Sequence, residues 1–442
     1  MKELVRLQRI ALVMTAVAAL STSGAFAQAG HVLNGVGPAD QAWSGAGMAV
    51  PQDALSALQW NPATVTMIEN NQLDVSLQLL FPTGKLSSFV RQGAFGEMGP
   101  PQDVSGETNS DAGPFPIPSI AYVYSNPGSR WAFGMSAFGV GGFGVDYLTS
   151  NANPITTPQA PNGMGFGSIS SQFGMFQLAP TVALRASESV SFGFAPTVNA
   201  ATLSVTPFPA ATPNDANEDG FPSYPEAPMT VAYGFGFQAG VQVQSELGWN
   251  VGVSVKSRQY FSDFEFDCKD EMGVVGKAPF RMDYPMILSG GVGYATDKFV
   301  FAADLRYLDF EHTPGFDKSG FSNTGAVVGF GWNSILLGAI GVQYEVADGV
   351  PIRLGYSYNE NPIKDAMAFY NVSSPAIVQH HVSAGFGIDL NNSISAAAAL
   401  QYGFKNTIEG PWYHPAMGAV PNTSVTSELS TLTAIVGLSV KM

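Results

Sequence analysis

From residue 72 onward the chain repeats one unit: a stretch of roughly ten residues in which every second side chain is apolar, a short polar turn, another such stretch, then a long polar or Pro-rich excursion. In the clearest case Val231, Tyr233, Phe235, Phe237, Ala239, Val241 and Val243 alternate with Ala232, Gly234, Gly236, Gln238, Gly240, Gln242 and Gln244. A period of two places the first set on one face of an extended strand and the second, small or amidic, on the other. The C-terminal stretch does the same, with Leu432, Ala434, Val436, Leu438, Val440 and Met442 set against Thr431, Thr433, Gly437, Ser439 and Lys441, and Ile435 breaking the alternation. One face fit for lipid, one fit for a polar interior, and connections alternating between short and long predict an all-β fold: a transmembrane antiparallel β-barrel.

About fourteen spans carry the pattern: 72–81, 117–125, 131–145, 175–186, 189–203, 229–244, 248–262, 281–294, 298–310, 334–346, 351–359, 377–389, 393–406 and 429–441. An even number suits a bacterial barrel. The short connections hold turn formers, as in Asn126-Pro127-Gly128, Ser187-Glu188, Glu246-Leu247, Thr296-Asp297, Asp348-Gly349 and Asn391-Asn392, and are expected in the periplasm. The long ones, rich in acids, are expected outside the cell.

Composition agrees and narrows the choice. No apolar run reaches the roughly eighteen residues that a helical span needs. A formal net charge of −15 argues against nucleic acid, which requires a basic footprint. Lys2, Arg6 and Arg9, an apolar core from Ile10 to Leu20 and Ala25-Phe26-Ala27 read as a signal peptide over residues 1–27. The chain is therefore expected in the bacterial outer membrane, with outer-membrane lipids, lipopolysaccharide and the barrel-assembly machinery as partners. It ends in Met442 where such barrels commonly end in Phe or Trp. The lone Cys268 permits no internal disulfide and reads as an ordinary loop residue.

Residues 28–71 are not strand-like, and here the sequence resembles a known family. Gly45-x-Gly47-x-Ala49, Asp53-Ala54, Ala57 and Asn61-Pro62-Ala63 resemble the N-terminal signature of the FadL-type transporters of long-chain fatty acids and aromatic hydrocarbons. Arg353-x-Gly355-Tyr356-x-Tyr358, with Pro362, resembles a strand motif of that family, and Asp304-x-Arg306-Tyr307 and Trp332-Asn333-Ser334 are weaker echoes. The resemblance implies a barrel over 72–442 plugged by an N-terminal hatch over 28–71. It also implies a passive monomeric transporter that needs no cofactor and is not an enzyme. Its hydrophobic small-molecule substrate would be caught between long loops, held in an internal apolar pocket and released sideways through a kinked third strand. In the family the tripeptide matched by Asn61, Pro62 and Ala63 meets that kinked strand.

The third strand contains Gly139, Gly141, Gly142 and Gly144, and glycines clustered in a strand mark bulges. A fatty acid would need a lumenal cation to orient its carboxylate. Strand parity turns Lys256 and Arg258 inward, along with Arg281, Arg306, Arg353 and Lys405, each also able to pair with a lumenal acid such as Asp283, Asp304 or Asp389. Lys256 and Arg258 are the favoured substrate-carboxylate candidates. The same parity sends His381 inward and His380 to the lipid.

One loop fits the calcium pattern D-x-[DN]-x-[DN]-G-x5-E, through Asp215, Asn217, Asp219, Gly220 and Glu226, so a structural Ca2+ is a candidate there. Pro222 and Pro225 exclude the usual exiting helix. Two other functions fit a barrel: a general porin for small solutes, which lacks a plug, and an adhesin or receptor that works through its loops. The histidines lack metal-ligand spacing and no nucleophile elbow is present, which counts against an enzyme.

Overall fold

The computed structural model describes residues 29–96 and 99–442. Their strands close into one antiparallel barrel of fourteen. In chain order these are β1 (Gln72–Val90), β2 (Phe115–Ser125), β3 (Trp131–Tyr147), β4 (Ile169–Arg185), β5 (Val190–Thr206), β6 (Ala227–Gln244) and β7 (Trp249–Lys256). They continue with β8 (Ile287–Ala295), β9 (Phe299–Leu308), β10 (Ile335–Ala347), β11 (Val350–Asn359), β12 (His380–Asn391), β13 (Ile394–Gly410) and β14 (Thr423–Lys441). Strands adjacent in sequence pair, and β1 closes the ring by pairing both with β2, from Gln72↔Val123 to Leu80↔Phe115, and with β14, from Gln72↔Lys441 to Val90↔Thr423. Outside one stretch between β2 and β3, closure leaves the wall no sheet edge, which is the condition for strands to sit in hydrocarbon.

Each expected strand is present, and the alternation sorts side chains as read from the sequence. Tyr233 and Phe235 are each 67% exposed on the outside, while Ala232 and Gly234, alternating with them, are buried. The boundaries differ most at the loop ends. β1 runs on to Val90 and β14 begins at Thr423, and the cross-strand ion pairs Lys85–Glu428 (3.5 Å) and Lys405–Glu428 (3.0 Å) continue the ladder past the apolar band. Conversely, β8 starts only at Ile287, and Phe264–Lys269 pairs with Val275–Phe280 as a separate hairpin in the preceding loop.

Residues 29–67 lie inside the barrel and are almost entirely buried. They form α1 (Gly37–Ala42), α2 (Ala54–Trp60) and a 3-10 turn over Pro62–Met67. A capping box starts α2: the Asp53 carboxylate accepts the Ser56 N–H (2.8 Å), and the Ser56 hydroxyl accepts the Asp53 N–H (3.0 Å). From the wall, Asp74 of β1 accepts the Ala54 N–H (2.6 Å). The two glycines of the N-terminal signature have separate causes. Gly45 has φ +85°, and a Cβ there would stand 1.8 Å from the Asn34 carbonyl oxygen; at Gly47 it would stand 2.7 Å from the Asp40 carboxylate. The Asp304-x-Arg306 pair of β9 latches this segment to the wall. Asp304 accepts the Met48 N–H (3.0 Å), and Arg306 donates to the Gly45 carbonyl, pairs with Asp304 (2.8 Å) and stacks on Trp60 at 3.7 Å from the ring centroid.

Candidate functional site: a window in the wall and two aromatic clusters

β3 pairs with β4 along its whole length, with a register shift at Gly139/Gly141. With β2 it pairs only from Ser125↔Ala132 to Ser119↔Phe138. Beyond Phe138 the two strands part, and the chain rejoins where the Asp111 N–H reaches the Asp146 carbonyl (2.8 Å) and Ser110 bridges Tyr147. The result is a window bordered by Phe115–Pro118 on one side and Gly139–Val145 on the other.

Both borders are written in the sequence. Pro116 and Pro118 have no N–H, yet lie in register with β1 opposite Leu79 and Leu77. Backbone nitrogens in a strand point alternately to its two neighbours, so the N–H groups reaching β1 belong to the odd-numbered residues. Pro116 and Pro118 therefore turn donor-free nitrogens toward the window, where an ordinary residue would offer β3 a hydrogen bond. On the other border a Cβ at Gly139 would stand 2.5 Å from the Ile117 side chain, and one at Gly141 2.6 Å from the His31 carbonyl oxygen. The inner segment takes the place of β2: Leu33 N–H donates to the Val140 carbonyl (3.1 Å), and Gly142 N–H donates to the His31 carbonyl (2.9 Å). Leu33 packs on Ile117 across the opening. Gly144 stays in register with Gln172 of β4, beyond the bulge.

The bulge is met by His31 to Leu33, whereas the hydrogen bonds of Asn61-Pro62-Ala63 run to β6. Asn61 Oδ1 accepts the Ala63 N–H (3.1 Å), and its Nδ2 donates to the Val241 carbonyl (3.2 Å) and Gln242 Oε1 (3.3 Å). A track of inward glycines admits the tripeptide there: a Cβ would stand 2.2 Å from Ala63 N at Gly193 and 2.0 Å from Asn61 Oδ1 at Gly240. Sequence reasoning missed Gly193 and Gly240; their signal is a glycine at an inward position of an otherwise regular strand.

Buried aromatic side chains form two clusters, an inner and an outer. The inner one surrounds His31, whose ring stacks on Phe316 (5.0 Å, interplanar 6°) and meets Phe173, Tyr284 and Phe310 edge-on at 5.7, 5.3 and 5.4 Å. Trp332 stands at 5.9 Å and donates its indole N–H to Asn371 (2.7 Å). The outer cluster is built by the long loops, where Phe166, Phe369 and Trp412 are mutually in contact. Beside it Phe166, Tyr224, Phe321, Phe369 and Tyr370 line a groove of about 50 Å³. A benzene-sized guest occupies an engineered cavity of roughly 150 Å³, so this groove must widen to admit one. Met367 packs against both clusters and joins them.

The candidate cations separate into three situations. Lys256 faces the lumen, buried, with its ammonium 3.1 Å from Gln177 Oε1 and 5.9 Å from the Trp60 ring, and it has no ion pair among the described residues. Arg258 departs from the parity reading. The ladder slips after Lys256, so Gln259 takes the inward position, and Arg258 is held by Asp283 (3.6 Å), the His312 carbonyl (3.1 Å) and the face of Tyr260 (4.6 Å). Arg281 shares Asp283 (2.9 Å). Lys405 points outward, because the shift between Gly403 and Asn406 reverses the phase of β13. Arg306 and Arg353 are inward and buried, as is His381, with His380 outside against Tyr358.

In the acidic loop the carboxylates serve their own backbone. Asp215 accepts the N–H groups of Asp219 and Gly220 (both 2.9 Å), Asn217 that of Asp219 (2.9 Å) and Asp219 that of Phe221 (2.9 Å). Glu226 instead pairs its backbone with Lys269, and Glu271 accepts the Asn217 N–H (3.1 Å). Among the described residues no group of three or more His, Cys, Asp or Glu is placed to hold a metal ion. Cys268 is buried in the loop hairpin.

A closed barrel with an apolar outer belt, a filled lumen and a window in its wall defines an outer-membrane transport protein. The model of the outer membrane protein transport protein family (OMPP1/FadL/TodX) matches residues 14–411, and the chain belongs to that family of β-barrel transporters of hydrophobic compounds in Gram-negative bacteria. Solved structures share its fold. The P. putida toluene transporter TodX matches at 18% identity over 92% of this chain and 99% of its own, with a TM-score of 0.70. A Pseudomonas aeruginosa FadL homologue matches at 15% identity over 93% and 99%, also with a TM-score of 0.70. The Ralstonia pickettii toluene transporter TbuX matches at 16% identity over 92% and 99%, with a TM-score of 0.65. No curated protein matches the chain.

Proposed function

We propose that this chain takes up hydrophobic molecules passively, catching them in the loop groove at Phe166 and Phe369, passing them to the aromatic cluster at His31 and releasing them sideways through the window. The observation that carries the reading is the loss of β2–β3 pairing beyond Phe138, next to an apolar cluster. Apolar cargo gains free energy by entering hydrocarbon rather than crossing water, so a side exit follows the solvation gradient. A general porin needs an open lumen, and the burial of residues 29–67 supports reading them as a hatch instead. Two structural relatives are toluene transporters, and we read an aromatic hydrocarbon or a long-chain fatty acid as the cargo here.

The test is uptake of labelled toluene and oleate by cells that have this protein as their sole transporter of the class. A Trp substituted for Gly139, which fills the window against Ile117, is expected to abolish uptake while the barrel still assembles. Undiminished uptake through that variant would refute lateral release. Lys256→Met divides the cargo classes: it lowers oleate binding and leaves toluene untouched if the lumenal ammonium reads a carboxylate.

A further inference from the structure

We propose that the His31 imidazole is a built-in placeholder for the cargo: the cage around it is a site for one flat hydrocarbon ring, which enters by displacing the histidine. This rests on the uptake reading above and names its substrate class. The ring of His31 lies parallel to Phe316, with Phe173, Tyr284 and Phe310 presenting edges. Offset-parallel and edge-on contacts are the arrangements an aromatic guest seeks. A flexible alkyl chain has no such preference.

Histidine is a poor occupant of that cage. Its Nδ1 is buried with no hydrogen-bond partner among the described residues. Burial also holds its pKa down to about 3, so the ring is neutral and brings no cation to the surrounding π faces. An all-carbon ring keeps the stacking and leaves no polar atom unsatisfied, while the expelled imidazole regains water. Relief of that unsatisfied nitrogen favours the exchange.

The exchange is also wired to the window. The His31 carbonyl accepts the Gly142 N–H, and two residues on the Leu33 N–H reaches Val140. Gly30, with φ +64° and no room for a Cβ beside Phe310 and Trp332, gives the backbone a pivot next to the cage. Moving the imidazole out disturbs the two hydrogen bonds that substitute for β2 at the bulge. Loading of the cage thus loosens the seal through which the cargo leaves.

The experiment is binding of toluene and of stearate to the purified full-length protein in detergent, for wild type, His31→Ala and His31→Phe, with thermal unfolding recorded for each. His31→Ala removes the competitor, and toluene is expected to bind at least fivefold more tightly. His31→Phe supplies a competitor with no unsatisfied nitrogen, and toluene is expected to bind at least fivefold more weakly. Stearate affinity is expected to change less than twofold in either variant. Equal toluene affinity in wild type and His31→Phe, or tighter binding in the latter, would overturn the proposal; the near-isosteric Phe decides it even if the Ala variant unfolds early. Failure of the uptake reading looks different: wild-type cells then accumulate neither toluene nor fatty acid. If they accumulate fatty acid and the His31 variants leave toluene binding unmoved, only the placeholder is lost.

Discussion

Replacing Asn61 by Ala should unseat the hatch without unfolding the barrel. The amide oxygen accepts the fully buried Ala63 N–H at 3.1 Å, and its donor side reaches Val241 and Gln242 on the wall. Deleting it orphans one buried N–H, a cost of about 1–3 kcal/mol. The lost bonds to the wall raise this to about 2–4 kcal/mol, all charged to the hatched state, since the barrel ladder uses none of these groups. At about 1.4 kcal/mol per factor of ten, the displaced population should grow roughly 30- to 1,000-fold. Planar-bilayer recording checks this: the variant should show frequent large openings where wild type shows few. Hydrogen exchange should find the amides of residues 61–66 deprotected and those of β6 unchanged. Closed traces with intact protection at Ala63 would refute the assignment of Asn61 as an anchor.

Two further outcomes follow from the same geometry. Phe369→Ala removes the ring shared by Phe166, Tyr370 and Trp412, and should cut uptake at low cargo concentration several-fold while leaving the unfolding temperature of the barrel unchanged. Burial pushes the Asp40 carboxyl of α1 up to about 7, above its unfolded value, so its contribution to hatch stability is present at low pH and is lost as pH rises from about 4 to 7. Protection of the hatch amides relative to their intrinsic exchange rates should therefore be lower at pH 8 than at pH 5, and Asp40→Asn should flatten that difference.

The barrel was legible because its physics is periodic. A lipid-facing side chain every second residue leaves a signal that no single substitution erases, as Ile435 shows by breaking the alternation without breaking the strand. Parity failed where the ladder slips. Arg258 and Lys405 each follow a local irregularity, and one extra residue reverses every later side chain until the next turn. The clustered glycines of β3 pointed to the bulge because a bulge has a local composition. What meets the bulge did not show, since His31 to Leu33 sit more than a hundred positions away and carry no pattern of their own. The aromatic clusters were hidden for the same reason: Phe173, Phe310, Phe316 and Trp332 come from a strand and from loops whose paths no periodicity encodes.

The prolines of β2 offer the most direct test of why the window exists. If donor-free nitrogens at Pro116 and Pro118 keep β3 from pairing, then Pro116→Val with Pro118→Val should return two ladder donors to that border. Each restored hydrogen bond is worth about 0.5–1.5 kcal/mol, so pairing gains about 1–3 kcal/mol. Against this stand the two bonds that Val140 and Gly142 now make with Leu33 and His31, of similar size. The contest is near balance, and a net gain of only about 1 kcal/mol moves the closed population about fivefold. Uptake should then fall several-fold, the unfolding temperature should hold or rise, and the new amides at 116 and 118 should be protected from exchange. Protected amides with uptake at the wild-type rate would mean that cargo leaves by another path. Exposed amides with uptake unchanged would mean that the bulge, and not the prolines, holds the strands apart.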